Sequence, residues 1–249
     1  MSQLSVAEAA SRLGVSTRRV HERIQDGSLA AEKVGGRWLL SDLDVMELRH
    51  RTRPGRPLSE RSAWALLAAA SDGRLLNEGF AAPERSRARA RLRALRSAAD
   101  LADLDEITVL LGHALRHRAE RRLFVASPRD LDGVRGDARV TVSGLDHPGS
   151  NVSAADIAEG YVRADDLSDV VDVHLLSPAP RLRANVVLHS LSPAAASFAT
   201  DLVMTSELLY AADLAEHSGV RERNEALEAA RRVTQWSEAI LSEGGARGD

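Results

Sequence analysis

The sequence predicts an α+β protein, in which a small N-terminal domain precedes a larger mixed α/β domain that starts and ends with helices. Three observations support this prediction. Helix-start signals and a glycine-tipped hairpin pattern fill residues 1–50, a segment rich in arginine, proline and glycine follows at 51–57, and strand patterns occur in the middle of 58–249. We therefore expect a linker at 51–57, and then a helical part at 58–122, a strand-rich part at 123–191 and a second helical part at 192–241.

Composition and charge bound the class of protein. The chain has 249 residues, a formal charge of −3 and no cysteine, which excludes disulfides and thiolate metal sites and fits a reducing cytoplasm. The longest apolar run, at 63–70, is too short to cross a bilayer, and the first ten residues lack the pattern of a signal peptide. Residues 1–56 hold ten basic and seven acidic side chains, a net +3, whereas the remainder is net acidic. We expect a cytoplasmic bacterial protein with no membrane partner, built from two modules with different partners.

The first helices of the N-terminal domain follow from capping signals. Ser5 with Glu8 forms a capping box before a helix that Gly14 ends, and Ser16 starts a second helix that Gly27 ends. Leu29 begins a strand at 29–34, the pair at 35–36 makes a tight turn, and a return strand occupies 37–40. A third helix is expected after Ser41. The order of helix, turn, helix, hairpin and helix is that of a winged helix-turn-helix.

The cations of this domain indicate a nucleic-acid interface. Arg18 and Arg19 lie in the first turn of the second helix, where like charge meets the positive end of the helix dipole, and this cost is offset if an anion binds there. Lys33 and Arg37 place further cations on the hairpin. The predicted DNA-binding residues are Ser16, Thr17, Arg18, Arg19, His21, Arg23, Lys33, Gly35 and Arg37.

The spacing of these elements resembles the excisionase and MerR-like family of winged-helix DNA-binding domains. The resemblance covers residues 4–48 and includes the turn Leu13-Gly14-Val15-Ser16 and the wing from Lys33 to Trp38. It implies that Thr17, Arg18 and Arg19 enter the major groove of double-stranded DNA.

The larger domain is predicted from coarser patterns. Ser59 starts a helix that Gly73 stops, and Asp103 starts another. Six arginines at 84–96 form either a charged helix on an acidic body or a second nucleic-acid contact; helical spacing spreads them too widely for a single stripe. Strands are expected at 122–127, 138–144, 170–177 and 184–191, and final helices at 202–216 and 221–241.

Part of this domain resembles the antitoxins of AbiE-type toxin–antitoxin pairs. The residues that carry the resemblance are 161–191, which include Asn185 to Leu188, and 207–233, which include Asp213 to Glu216. It implies a transcriptional repressor that binds its own promoter and helps to neutralise a nucleotidyltransferase-type toxin. A homodimer on DNA is expected separately, because a single small winged module contacts few bases and paired half-sites raise specificity. Two other functions stay open: a ligand-responsive transcription regulator, and an excisionase-type recombination accessory protein.

No pattern in the sequence predicts an enzyme. His113 and His117 have the i, i+4 spacing of metal ligands, but arginines flank them and they are not part of a His-Glu-x-x-His motif. The acidic group of Asp165, Asp166, Asp169 and Asp172 is typical of turns and helix caps. We therefore expect no catalytic residues, no cofactor and no metal.

Overall fold

The structure is a computed structural model of the chain. It describes residues 3–42, 44–45, 48, 57–101, 104–147, 149–150, 155–181, 183–217 and 219–243, together with their side chains except those of 101, 105 and 234–243. The predicted linker at 51–57, apart from Pro57, and the helix start at Asp103 lie outside the described residues.

The N-terminal module has the predicted element order and one additional strand. Helices α1 (Val6–Leu13) and α2 (Thr17–Gln25) precede strands β2 (Ala31–Val34) and β3 (Arg37–Ser41), and the described residues of 42–48 are helical. The additional strand, β1 (Gln3–Ser5), pairs with β3 to give a three-stranded antiparallel sheet in the order β1-β3-β2. The buried core of this module consists of Leu4, Ala9, Ala10, Val20, Leu29, Leu40, Val45 and Leu48.

The larger domain starts and ends with helices, as predicted. Its first helices are α3 (Glu60–Ser71), α4 (Gly73–Gly79), α5 (Ala82–Leu101) and α6 (Leu104–Leu115). The middle part contains β4 (Glu120–Val125), α7 (Leu131–Arg135), β5 (Val140–Val142), a 3₁₀ turn at Gly144–Asp146, β6 (Ala158–Arg163), α8 (Leu167–Val173), β7 (Ser177–Pro178) and β8 (Val186–Leu191). The last helices are α9 (Pro193–Ala196), α10 (Asp201–Met204), α11 (Glu207–Leu214) and α12 (Val220–Glu243).

A five-stranded mixed sheet organises this domain. The strand order is β5-β6-β8-β4-β7, with β6 and β8 parallel and the other pairs antiparallel. Successive residues of a strand point to opposite faces of the sheet, so Tyr161 joins the core formed with the N- and C-terminal helices, while Val162 joins a second core with α7 and α8. The sheet therefore lies between two apolar layers, and the predicted α+β fold class is confirmed.

Three element predictions are wrong. The strand predicted at 170–177 is mostly absent. Helix α8 continues through 173, with the Val170 amide donating to the Asp166 carbonyl at 3.0 Å and the His174 amide donating to the Val170 carbonyl at 3.1 Å, and of residues 170–173 only Val170 is buried. Of the predicted run only Ser177 lies in a strand, β7. Strand β6 was not predicted, since Glu159 and Gly160 interrupt its apolar pattern. Gly73 does not stop α3; the Asp72 side chain accepts a hydrogen bond from the Leu75 amide at 2.9 Å and starts α4 there.

The last helical part is also more divided than expected. The helix predicted at 202–216 breaks at Thr205, because Ser206 caps α11 separately through a hydrogen bond from the Leu209 amide at 3.3 Å. Helix α12 covers the helix expected at 221–241 and extends one residue before and two residues after it.

Candidate nucleic-acid interface

Helix α2 begins at a side-chain cap, and its first turn is exposed to solvent. The Ser16 hydroxyl accepts a hydrogen bond from the Arg19 amide at 3.3 Å, and Gly14 before it adopts a left-handed backbone with φ of 66°. Val20 is fully buried and Ile24 packs beside the core. Because this face holds the helix, Thr17, Arg18, Arg19 and His21 are exposed on the other side.

Arg18 and Arg19 share one carboxylate. Arg18 Nε lies 3.2 Å from Glu22 Oε1, and Arg19 Nη1 lies 3.0 Å from Glu22 Oε2. These contacts lower the pKa of Glu22, with the hydrogen bond from Arg19 as the larger cause. The arginine side chains nevertheless remain 89% and 59% exposed. Exposed ion pairs of this kind are weak, so both guanidinium groups are available to a phosphate or a base edge.

The wing is a tight hairpin, as predicted. Gly35 and Gly36 both have positive φ, 56° and 80°, which a two-residue turn between antiparallel strands requires. Lys33 faces Trp38 across the strand pair, with its Nζ 5.7 Å from the centre of the indole ring. Arg37 is exposed beside the turn. The hairpin thus presents two cations on a solvent-exposed projection.

Arg23 differs from the other predicted contacts because it is half-buried at the end of α2. Its carbonyl accepts hydrogen bonds from the Leu29 amide at 3.0 Å and from the Ser28 hydroxyl at 3.4 Å, which fixes the path from α2 to the hairpin. The nine residues predicted to bind DNA therefore occupy the start of α2, its exposed face, its last turn and the wing. Their role in binding stays a prediction.

Two ion pairs connect this module internally and to the larger domain. Arg12 on α1 pairs with the buried carboxylate of Asp42 at the start of the third helix. Arg181, in the connection between β7 and β8, lies 3.4 Å from the carboxylate of Asp44. The larger domain therefore contacts the third helix of the module through a charged pair.

The other sequence candidates have ordinary structural partners. His117 Nδ1 lies 2.9 Å from the Leu58 carbonyl, and His174, which caps α8 rather than lying on a strand, contacts Asp137 at 2.8 Å. Asp166 and Asp169 belong to the cap and first turn of α8. Among the residues that the structure describes, no group of three or more His, Cys, Asp or Glu side chains is placed to hold a metal ion.

A buried charged network was not predicted. Arg118 donates to the Asp213 carboxylate at 2.7 Å and to the Tyr161 hydroxyl at 2.7 Å, and Tyr161 also donates to Asp213 at 2.7 Å. Ser143 donates to the other oxygen of that carboxylate, and Arg118 lies 2.6 Å from Glu216. Burial opposes ionisation of Glu216, but its neighbours Arg118 and Arg121 lower its pKa to about 2.

A second buried carboxylate continues this network. His189 Nε2 lies 3.0 Å from one Glu159 oxygen, and His217 Nε2 lies 2.7 Å from the other. Burial alone would lower the pKa of His217, but the Glu159 carboxylate raises it. For Glu159 burial acts in the opposite direction, and the two histidines hold its pKa well below its usual range. These groups lie among the sheet and the last helices. The network could not be predicted because its members are far apart in the sequence.

Comparison with known proteins bears on the N-terminal module. A family model described as a helix-turn-helix domain matches residues 4–53. No curated protein and no solved structure matches the chain. The match confirms the helix-turn-helix prediction and indicates a DNA-binding regulator, while the resemblance of the larger domain to AbiE-type antitoxins has no support from these comparisons. Within the described helices, none is both long and apolar enough to span a membrane.

Proposed function

We propose that the chain is a sequence-specific transcription regulator that inserts α2 into the major groove of duplex DNA and holds the adjacent backbone with its wing. The observation that carries the proposal is the exposure of Arg18 and Arg19 at the start of α2, within a matched helix-turn-helix domain. A helix start offers free amide groups to phosphate, and arginine donates two hydrogen bonds to guanine.

The cations of the wing and those of α2 are suited to different contacts with DNA. Lys33 and Arg37 flank a turn of two glycines, so no side chain at the tip prevents the hairpin from approaching a sugar-phosphate backbone. Contacts to phosphate position a protein without reading sequence, whereas contacts to base edges specify it. We assign the first role to the wing and the second to α2.

Binding measurements on single variants test this assignment. Arg18→Ala is expected to cost ~1–3 kcal/mol on the operator and less on random DNA, if the guanidinium contacts a base. Arg37→Ala is expected to weaken binding to every sequence alike and to flatten the salt dependence. Arg74→Ala, on the exposed surface of α4, is the matched control. Unchanged affinity for both wing and helix variants would contradict the proposal.

We further propose that the regulator represses its own operon. A single small module contacts few base pairs, so a homodimer on paired half-sites would raise its specificity. Retention of fragments from its own upstream region by the purified protein tests autoregulation. Half-sites separated by about one helical turn are expected if the protein binds as a dimer.

An antitoxin role is the more specific form of this proposal. It is supported by the resemblance of 161–191 and 207–233 to AbiE-type antitoxins. The direct test expresses the neighbouring gene with and without this chain: growth arrest that the chain relieves would support an antitoxin. A neighbouring integrase gene would instead favour a recombination accessory protein, and a change of operator affinity with a metabolite would favour a ligand-responsive regulator.

A further inference from the structure

Helix α5 concentrates positive charge on an acidic body. Residues 82–101 contain six arginines and two acids, a net +4, within a part of the chain, residues 57–249, that has a net charge of −6. Ala88, Leu92 and Ala99 bury one face of the helix. With about 100° between successive residues, the arginines fall on the two sides of this buried face.

The six arginines form two lines. Arg85, Arg89, Arg93 and Arg96 lie along one flank of α5, because residues spaced by three or four share a side of a helix. Arg87 and Arg91 lie along the other flank. The prediction that they do not form a single stripe therefore agrees with the helix geometry. The surface between the two lines is exposed and consists of small residues: Ser86, Ala90, Ala94 and Ser97.

The acid in the first turn of α5 is paired with an arginine outside the helix. Glu84, in the first turn, is held by Arg61 at 2.7 Å, and this contact lowers its pKa to about 2. Arg85 donates to the Phe80 carbonyl at 2.8 Å, and Arg89 lies 3.3 Å from the Asn77 amide oxygen, both of them neutral acceptors. These neutral acceptors leave the positive charge of Arg85 and Arg89 uncompensated by the contacts described.

We propose that this face of α5 binds the phosphates of duplex DNA as a second contact, separate from the helix-turn-helix. Arginine suits the geometry of phosphate oxygens, and the small residues between the two lines let the helix backbone approach closely. From Arg85 to Arg96 the helix rises about 16 Å, which is roughly five base-pair steps of B-DNA. The exposed face lacks the large apolar or aromatic anchors that dominate protein–protein interfaces.

Salt dependence of binding by the full chain tests the proposal. The variant R87Q/R91Q/R93Q removes three charges and keeps residues that favour helix; R74Q/R129Q/R163Q removes three charges elsewhere on the same domain. On a random-sequence duplex, we expect the plot of log affinity against log salt concentration to flatten by about 2–3 for the α5 variant. The control variant should match the wild type. Equal melting temperatures establish that both variants are folded.

The outcomes separate this proposal from that made for the N-terminal module. A slope unchanged in the α5 variant overturns the inference, even if Arg18→Ala loses operator binding as proposed. A flattened slope supports it, even if Arg18→Ala binds like the wild type. If the α5 variant kept the wild-type salt slope on DNA but no longer bound poly-glutamate, this face would be assigned to an acidic protein partner and the DNA contact would be overturned.

Discussion

Removal of Arg118 should destabilise the larger domain more than removal of any exposed arginine. Its side chain is 2% exposed, and it pairs with Asp213, which is fully buried. Arg118→Met keeps much of the volume but leaves that carboxylate without its cation. Breaking one partner of a buried ion pair costs about 3–5 kcal/mol. In a chain of this size each kcal/mol lowers Tm by about 2–4 °C, so we expect a loss of about 6–20 °C.

Urea unfolding measures the loss of unfolding free energy. Tryptophan fluorescence reports on this region, since the indole of Trp64 donates to the Arg118 carbonyl at 2.9 Å. Arg74→Met, at an exposed pair on α4, is the control and should change stability by less than about 0.5 kcal/mol. Adding Asp213→Asn to Arg118→Met should recover part of the loss, because the remaining amide oxygen still accepts from Tyr161. A loss below about 1 kcal/mol for Arg118→Met, or strict additivity in the double variant, would show that Arg118 and Asp213 do not form a stabilising buried pair.

Three further predictions concern other parts of the chain. Glu159 raises the pKa of His217 above 6.5, so the histidine stabilises the fold below pH 6.5 and loses this contribution as the pH rises through its folded pKa. His217→Gln should therefore reduce the pH dependence of the unfolding free energy between pH 6 and 9. A pH profile equal to that of the wild type would contradict this. Gly160→Ala should destabilise the sheet by about 1–3 kcal/mol in urea unfolding, because its Cβ would lie 2.7 Å from the Thr141 carbonyl oxygen, and wild-type stability would show that the strands yield. Glu22→Gln should tighten binding to random DNA and steepen the salt slope by about 0.9, because it removes one negative charge beside the two arginines, whereas weaker binding would show that the carboxylate itself contacts DNA.

Local rules explain why the N-terminal module was predictable. The capping box of Ser5 and Glu8 and the turn at Gly35 and Gly36 depend on residues at most three positions apart, and the structure has both. The ion pair of Arg18 with Glu22 was not predicted, although i, i+4 neighbours meet on a helix surface. Strand β1 was not predicted, since a three-residue strand has too short a pattern to be recognised. The strand predicted at 29–34 begins at Ala31, because the Leu29 amide donates to the Arg23 carbonyl in the turn after α2.

Contacts between residues far apart in sequence explain most of what could not be predicted in the larger domain. Glu159 lies in the middle of a buried strand, where an uncompensated carboxylate is very costly. Its partners His189 and His217 are 30 and 58 residues away, so no local pattern marks β6 as a strand. Conversely, the valines and leucines of 170–177 resemble a strand, yet Val173 and Leu175 are exposed at the end of a helix.

Methylation interference on the operator tests whether α2 contacts base edges in the major groove. Methylation of guanine N7 blocks the position to which arginine donates in that groove. We expect methylation of one or more operator guanines to prevent binding by the full chain, and Arg18→Ala to remove the effect at a particular guanine. Operator binding that is insensitive to N7 methylation in both proteins would contradict it.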